Sequence, residues 1–186
     1  MRRSAHAFLL SASLLALPAT ASASPFVIGG VTYIESGATE VVNATFLAPD
    51  GGVSVGSYEG LVKLTVSGVG QSRGTDFNDA FYLYANGAGA PIGPTNDVLY
   101  YQLAFNSVPL LPLTPSRDAK NFIVFDIDAN LAVTPAYVPA YRGDHTYSFI
   151  VNTGLLAAST LHFGTSNGVF TDNSGAYQIQ VTQLEA

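Results

Sequence analysis

Tyr177-Gln178-Ile179-Gln180-Val181-Thr182 alternates apolar and polar residues without a break. Side chains along a strand point to opposite faces in turn. Tyr177, Ile179 and Val181 therefore face a core, and Gln178, Gln180 and Thr182 face solvent. Val62, Leu64 and Val66 repeat the pattern against Lys63, Thr65 and Ser67. Such alternation marks antiparallel sheets with one wet face. Asn121–Asp126 is instead apolar on both sides through Phe122, Ile123, Val124 and Phe125, which predicts a central strand. Further strands are expected at Phe26–Ile34, Glu40–Phe46, Ala80–Ala85, Val98–Phe105, His145–Val151 and Thr160–Phe163. Gly, Pro, Asn and Asp punctuate these runs, and no window carries a capped 3.6-residue period. The pattern predicts an all-β chain: an antiparallel, two-sheet, jelly-roll-like β-sandwich of about nine strands. Val108 to Pro115 and Pro135 to Pro139 are too rich in proline for strands and read as segments crossing the core.

Composition agrees. The 186 residues include 18 glycines, 10 tyrosines and 11 phenylalanines, a mixture suited to strands and turns. Cysteine is absent, which excludes a disulfide scaffold, a thiolate zinc site, an iron–sulfur cluster and a cysteine nucleophile. Seven basic against thirteen acidic residues leave no basic patch for nucleic acid.

The N-terminus reads as an export signal. Met1-Arg2-Arg3 supplies positive charge, Ala7 to Leu17 is apolar, and Ala21-Ser22-Ala23 offers a small-residue cleavage site. The apolar run falls short of the ~20 residues that span a bilayer. Residues 1–23 are thus expected to be a signal peptide and 24–186 a single β-sandwich domain, periplasmic or extracellular. That portion keeps five basic and thirteen acidic residues, a net charge of −8. No second apolar segment follows, so no integral membrane segment is expected in it.

Three groups of residues bear on chemistry. His145 and His162 are the histidines beyond the signal, and no G-x-S-x-G elbow accompanies them. Both read more simply as strand histidines than as catalytic bases. Asp126-Ile127-Asp128-Ala129-Asn130 opens like a calcium loop, but Leu131 and Tyr137 stand where that loop needs Gly and Glu. Its acids and Asn130 suit either a cation at a strand end or a plain turn. Gly164 to Gly175 is dense in oxygen-bearing side chains. Asp172 and Asn173 offer adjacent oxygens to a metal, with Ca²⁺ the fitting ion, although Asp-Asn-Ser-Gly also turns without metal.

Leu161-His162-Phe163 through Asp172-Asn173-Ser174-Gly175 and into the last strand resembles the bacterial galactophilic lectin family. Val62–Gly70 with Asn78-Asp79-Ala80-Phe81 resembles that family's central strand pair. The resemblance covers about a third of the mature chain. It implies a small jelly-roll-like sandwich that binds galactosides through calcium, with Asp172 and Asn173 as ligands. The family's other ligand positions fall near Thr165, Val169 and Arg73, which do not match. The body of the chain is also similar to exported PEP-CTERM proteins, through Asn78 to Tyr84 and the Asp-Asn-Ser-Gly strand. It ends Leu184-Glu185-Ala186, without the sorting tail.

Together these readings point to a secreted, non-catalytic, lectin-like module for a glycan or cell-surface polysaccharide, assisted by calcium. The alternative is a structural or adhesive matrix or surface protein without a small-ligand site, self-associating or attached to a partner. A hydrolase built on His145 or a carboxylate pair ranks third, since no motif supports it. Tyr82, Tyr84, Tyr100, Tyr101, Tyr137 and Tyr141 pair an apolar face with a polar tip, which suits sugar stacking as well as strand packing.

Overall fold

The computed structural model describes residues 24–85, 91–94, 102–111, 118–133, 135–166 and 169–186. The expected signal segment, Tyr100 and Tyr101 lie outside them. The chain is all-β, with a large curled antiparallel sheet and a second, small one. The strands are β1 Phe26–Ile28, β2 Val31–Thr45, β3 Gly52–Val53, β4 Leu61–Ser67, β5 Gly70–Arg73, β6 Asp76–Asn78 and β7 Tyr82–Ala85. They continue as β8 Pro91–Pro94, β9 Leu103–Asn106, β10 Ile123–Asp126, β11 Leu131–Ala132, β12 Tyr147–Asn152, β13 His162–Thr165 and β14 Ser174–Glu185. Among the described residues, helical geometry is confined to one 3-10 turn, Ala119–Asn121.

β14 organises the large sheet. One of its edges pairs with β4 and, further back, β5, while the other pairs with β2. From β4 the sheet runs through β12 and β10 to β11, and from β5 through β6 and β7 to β8. The small sheet has the order β3-β13-β9. The alternation read from the sequence places the core. Val62, Leu64, Val66, Tyr177, Ile179 and Val181 are wholly buried, and they form one cluster with Tyr147 and Phe149 of β12 and Phe105 and Phe163 of the small sheet.

Three expectations are refined. Phe26–Ile34 is two strands, because Gly29 and Gly30 both take positive φ (59° and 82°) and close a two-residue hairpin between Ile28 and Val31. That conformation is the one that matches strand twist, and glycine adopts it without steric cost. Secondly, the apolar strand β10 sits one place from the sheet's end, beside the two-residue β11, rather than at its centre. It is apolar on both faces for another reason. Ile123 joins the main core, while Phe125 joins Ile150 and Leu184 in a smaller cluster that the N-terminal hairpin covers. Phe26 meets Phe125 edge-on, with ring centroids 6.2 Å apart. Thirdly, Asn121 belongs to the 3-10 turn, and the strand expected at Thr160–Phe163 starts two residues later.

The 3-10 turn brings a buried acid to the small sheet. Asp118 bridges Ala104 and accepts a hydrogen bond from the Gln102 amide. Its carboxyl is buried beside the small sheet. Burial pushes its carboxyl up to about 7, against the opposing pull of the Ser166 hydroxyl, Lys120 and Gln102. The folded chain therefore holds a proton that the unfolded chain releases near pH 4. The resulting stabilisation is complete below that pH and is lost as pH rises through about 7. Asp118→Asn mimics the protonated acid. Urea unfolding at pH 5 and pH 8 should show the parent losing roughly 2 kcal/mol relative to Asp118→Asn across that interval. Parallel pH profiles would contradict this.

Candidate functional site

Asp126 closes β10, and the chain then turns through Ile127 to Asn130, which takes a positive φ of 54°. Asp126 is buried. Its Oδ1 accepts the Asp128 N–H at 3.1 Å and its Oδ2 the Tyr137 hydroxyl at 3.2 Å. Burial, then the neighbouring Asp126, pushes the Tyr137 hydroxyl up, so it stays protonated as a donor. Asp128 Oδ2 accepts the Ser148 N–H at 3.2 Å, which pins the turn to β12.

The segment returning to β12 forms the opposite wall. Asp126, Asp128, Ala129, Pro139, Ala140, Tyr141 and Arg142 line a cleft of about 180 Å³. Among the described residues the Arg142 guanidinium makes long ion pairs: Nη1 is 3.5 Å from Asp128 and Nε is 3.5 Å from Asp144. Nε is buried with no hydrogen bond. The cleft thus combines carboxylates that still have lone pairs to offer, a guanidinium held by ion pairs of 3.5 Å, and the half-exposed ring of Tyr141.

A buried network fixes this wall. Asp79 is wholly buried. Its Oδ1 accepts the N–H groups of Phe81 and Tyr82 at 2.9 and 2.8 Å. Its Oδ2 accepts the Tyr147 hydroxyl at 2.8 Å and lies 2.9 Å from His145 Nδ1. Burial, then the charge of Asp79, pushes the Tyr147 hydroxyl far up, so it remains a donor. The Tyr147 oxygen also receives the Arg142 N–H at 3.5 Å. Tyr82 donates to the Pro139 carbonyl at 2.7 Å and meets Tyr141 edge-on, with centroids 5.3 Å apart. Asp79 therefore reaches Pro139, Tyr141 and Arg142 through the two tyrosines.

His145 is strained at φ 53° and stacks on Tyr84 at 4.9 Å. His162 places Nδ1 at 2.9 and 3.0 Å from the two oxygens of Asp50. Each imidazole has an aspartate partner, and among the described residues neither bonds a serine or threonine hydroxyl. Of the candidate tyrosines, Tyr82 and Tyr84 are buried, Tyr137 and Tyr141 partly exposed.

At the other proposed site, Asp172 is exposed and Asn173 buried. The Asn173 amide nitrogen donates to the Phe46 carbonyl at 2.8 Å, anchoring the loop to the end of β2. The two side chains do not face the same way. No three His, Cys, Asp or Glu residues come together among the described residues. The sequence had marked Asp126, Asp128 and Tyr141 separately. It gave no sign of Arg142, beyond the rarity of basic residues in the chain, because the partners lie on different elements.

A second concavity, about 840 Å³ and of mixed polar and apolar lining that includes Glu59, Gln183 and Glu185, runs between the N-terminal hairpin and the loop after β12. Ile28, Tyr33, Leu61, Leu155, Leu156 and Leu184 line it. No family model, curated protein or solved structure matches the chain.

The geometry at Asp172 and Asn173 leads to a direct test of calcium. If calcium binds at Asp172 and Asn173, excess calcium against chelator should raise the melting temperature of the protein by about 5 °C or more. A rise that disappears in Asp172→Ala would assign the ion to this loop, and no shift would leave the loop a turn.

Proposed function

We propose that the chain is a non-catalytic, exported carbohydrate-binding module and that the cleft between Asp128 and Arg142 receives the sugar. The carrying observation is the Arg142 guanidinium, held by long ion pairs of 3.5 Å to Asp128 and Asp144, on the wall of a cleft it shares with two carboxylates that have spare lone pairs. An anion would meet Asp126, Asp128 and Asp144. A metal ion would meet the positive charge of the guanidinium. Neighbouring hydroxyl groups satisfy both partners, since each donates to a carboxylate and accepts from a guanidinium. Tyr141, Pro139 and Ala140 supply an apolar wall for the C–H face of a sugar ring. The leader-like segment 1–23 supports export. Binding here requires no metal, so calcium at Asp172 and Asn173 is a separate proposal.

A structural or adhesive role is the second reading, and exposed apolar residues around the larger concavity favour it. Leu156 is fully exposed beside it, and Val27, Val31 and Ile34 are exposed on the adjoining hairpin. Exposed apolar surface of this kind marks contact sites. Sedimentation that depends on concentration, and ceases to in Leu156→Asp, would support this reading. A monomer at every concentration would remove self-association.

The carbohydrate reading is tested on a panel of neutral oligosaccharides by calorimetry. Asp128→Ala and Arg142→Ala should each weaken binding about tenfold or more, the cost of losing a charge-assisted hydrogen bond, while circular dichroism stays unchanged. Parental affinity in both variants would end the assignment to this cleft.

A further inference from the structure

Outside the cleft, two acids are buried among the described residues, and they are satisfied differently. Asp79 accepts two backbone N–H groups and the Tyr147 hydroxyl and lies against His145. Asp118 is 1% exposed and has only the Gln102 amide and the Ser166 hydroxyl beside it. No ion pair reaches it among the described residues. Asp118 heads the Ala119–Asn121 turn and pairs with Ala104 of β9. Ser166 follows β13, and its N–H donates to the Gln102 carbonyl at 2.9 Å. One carboxyl thus ties the turn to two strands of the small sheet. The turn also holds the segment that walls the cleft. The Ala136 N–H donates to the Lys120 carbonyl at 2.7 Å, and the next residue, Tyr137, bonds Asp126.

Few charges act on Asp118. Lys120, on the same turn, favours its ionised form. β9 carries no titratable side chain, and His162 of β13 is paired with Asp50. Behind Thr165, burial pushes the Tyr177 hydroxyl up, so it stays neutral. A carboxylate with so few donors is costly to bury, whereas the protonated acid is not. Burial accordingly holds the carboxyl up, at about 7. The strands it joins are short, four residues each in β9 and β13 against twelve in β14. Short, sparsely bonded elements open before the body of a fold.

We propose that Asp118 is a pH-sensitive latch: protonated, it docks the 118–122 turn on the small sheet and, through Lys120, seats the crossing segment at Ala136; ionised, it releases both while the large sheet stays folded. The latch stands whether or not the cleft binds sugar. The docked carboxyl holds its proton up to about 7 and the released one only to near 4. Docking is therefore favoured most below pH 4 and loses that advantage as pH rises through 7.

Amide hydrogen exchange on the full protein, corrected for the pH dependence of the chemical step, tests this. From pH 5 to pH 8 the amides of Asn121, Phe122 and Ala136 should lose about tenfold or more in protection. Their exchange should hardly respond to dilute urea, since a local opening exposes little surface. Leu64 and Ile179 in the large sheet should stay better protected and respond to urea, as global unfolding requires. Asp118→Asn should remove the pH dependence at the three amides. Ser166→Ala deletes the donor that most favours ionisation and should move the change to higher pH, which keeps the test decisive if Asp118→Asn folds poorly. Protection independent of pH, a loss that persists in Asp118→Asn, an unmoved transition in Ser166→Ala, or a urea response equal to that of Leu64 and Ile179 overturns the latch.

Discussion

A carboxylate removed from water is tolerated only when its oxygens are bonded, and Asp79 sets that condition for this protein. Its partners come from two places: the turn entering β7, through the N–H groups of Phe81 and Tyr82, and the start of β12, through Tyr147 and His145. The bonds to Tyr147 and His145 span 68 and 66 residues of sequence. Satisfying the carboxylate therefore joins strands near opposite ends of the sheet order. The same demand holds His145 at a positive φ that a residue with a side chain seldom adopts. Tyr82 and Tyr147, held by Asp79, in turn support Pro139 and the Arg142 backbone. The cleft wall is thus a consequence of how a buried acid is satisfied.

The outer face of the large sheet is divided by a change of register. Between Val181 and Gln183, two steps of β14 stand opposite four of β2. Thr182 is buried there, and its hydroxyl lies 2.8 Å from that of Thr39. Before the irregularity, Gln178 and Gln180 face out; beyond it, Leu184 lies in the small apolar cluster. Leu184 keeps the face of Gln178 and Gln180, so the change of register marks where that one face passes from open to covered. The hairpin of β1 and β2 then folds over the apolar half. Phe26 packs on Phe125, and Lys63 lies 5.9 Å from the Phe26 ring centroid while it pairs with Glu35. The polar half needs no cover and stays open to solvent.

Local periodicity made the central strands legible. Val62, Leu64 and Val66, with Tyr177, Ile179 and Val181, are buried as their alternation requires, because a strand's side-chain period is fixed by its backbone. Short strands such as β5, β6 and β11 were not legible: runs of two to four residues carry too little period to stand out from turns. Phe122 to Phe125 shows the limit of the rule that links apolar runs to central strands. Its second apolar face is covered by a hairpin from the far end of the chain, a pairing that no local pattern encodes.

The candidate site divides in the same way. Asp126 and Asp128 were visible as a motif and Tyr141 as a sugar-compatible ring, since residue type and spacing are properties of the chain. Their meeting with Arg142 follows from the crossing over 135–146, and the Asp79 network holds the wall there. Asp172 and Asn173 show the converse. Adjacent in sequence and alike in chemistry, they part in the fold, because the Phe46 carbonyl takes the Asn173 amide inward. The sequence by itself determined an all-β chain, its wet and dry strand faces and the residue types on offer, all governed by local backbone geometry. Only the tertiary structure decided which side chains converge, because that depends on satisfying buried polar groups between segments far apart in the chain.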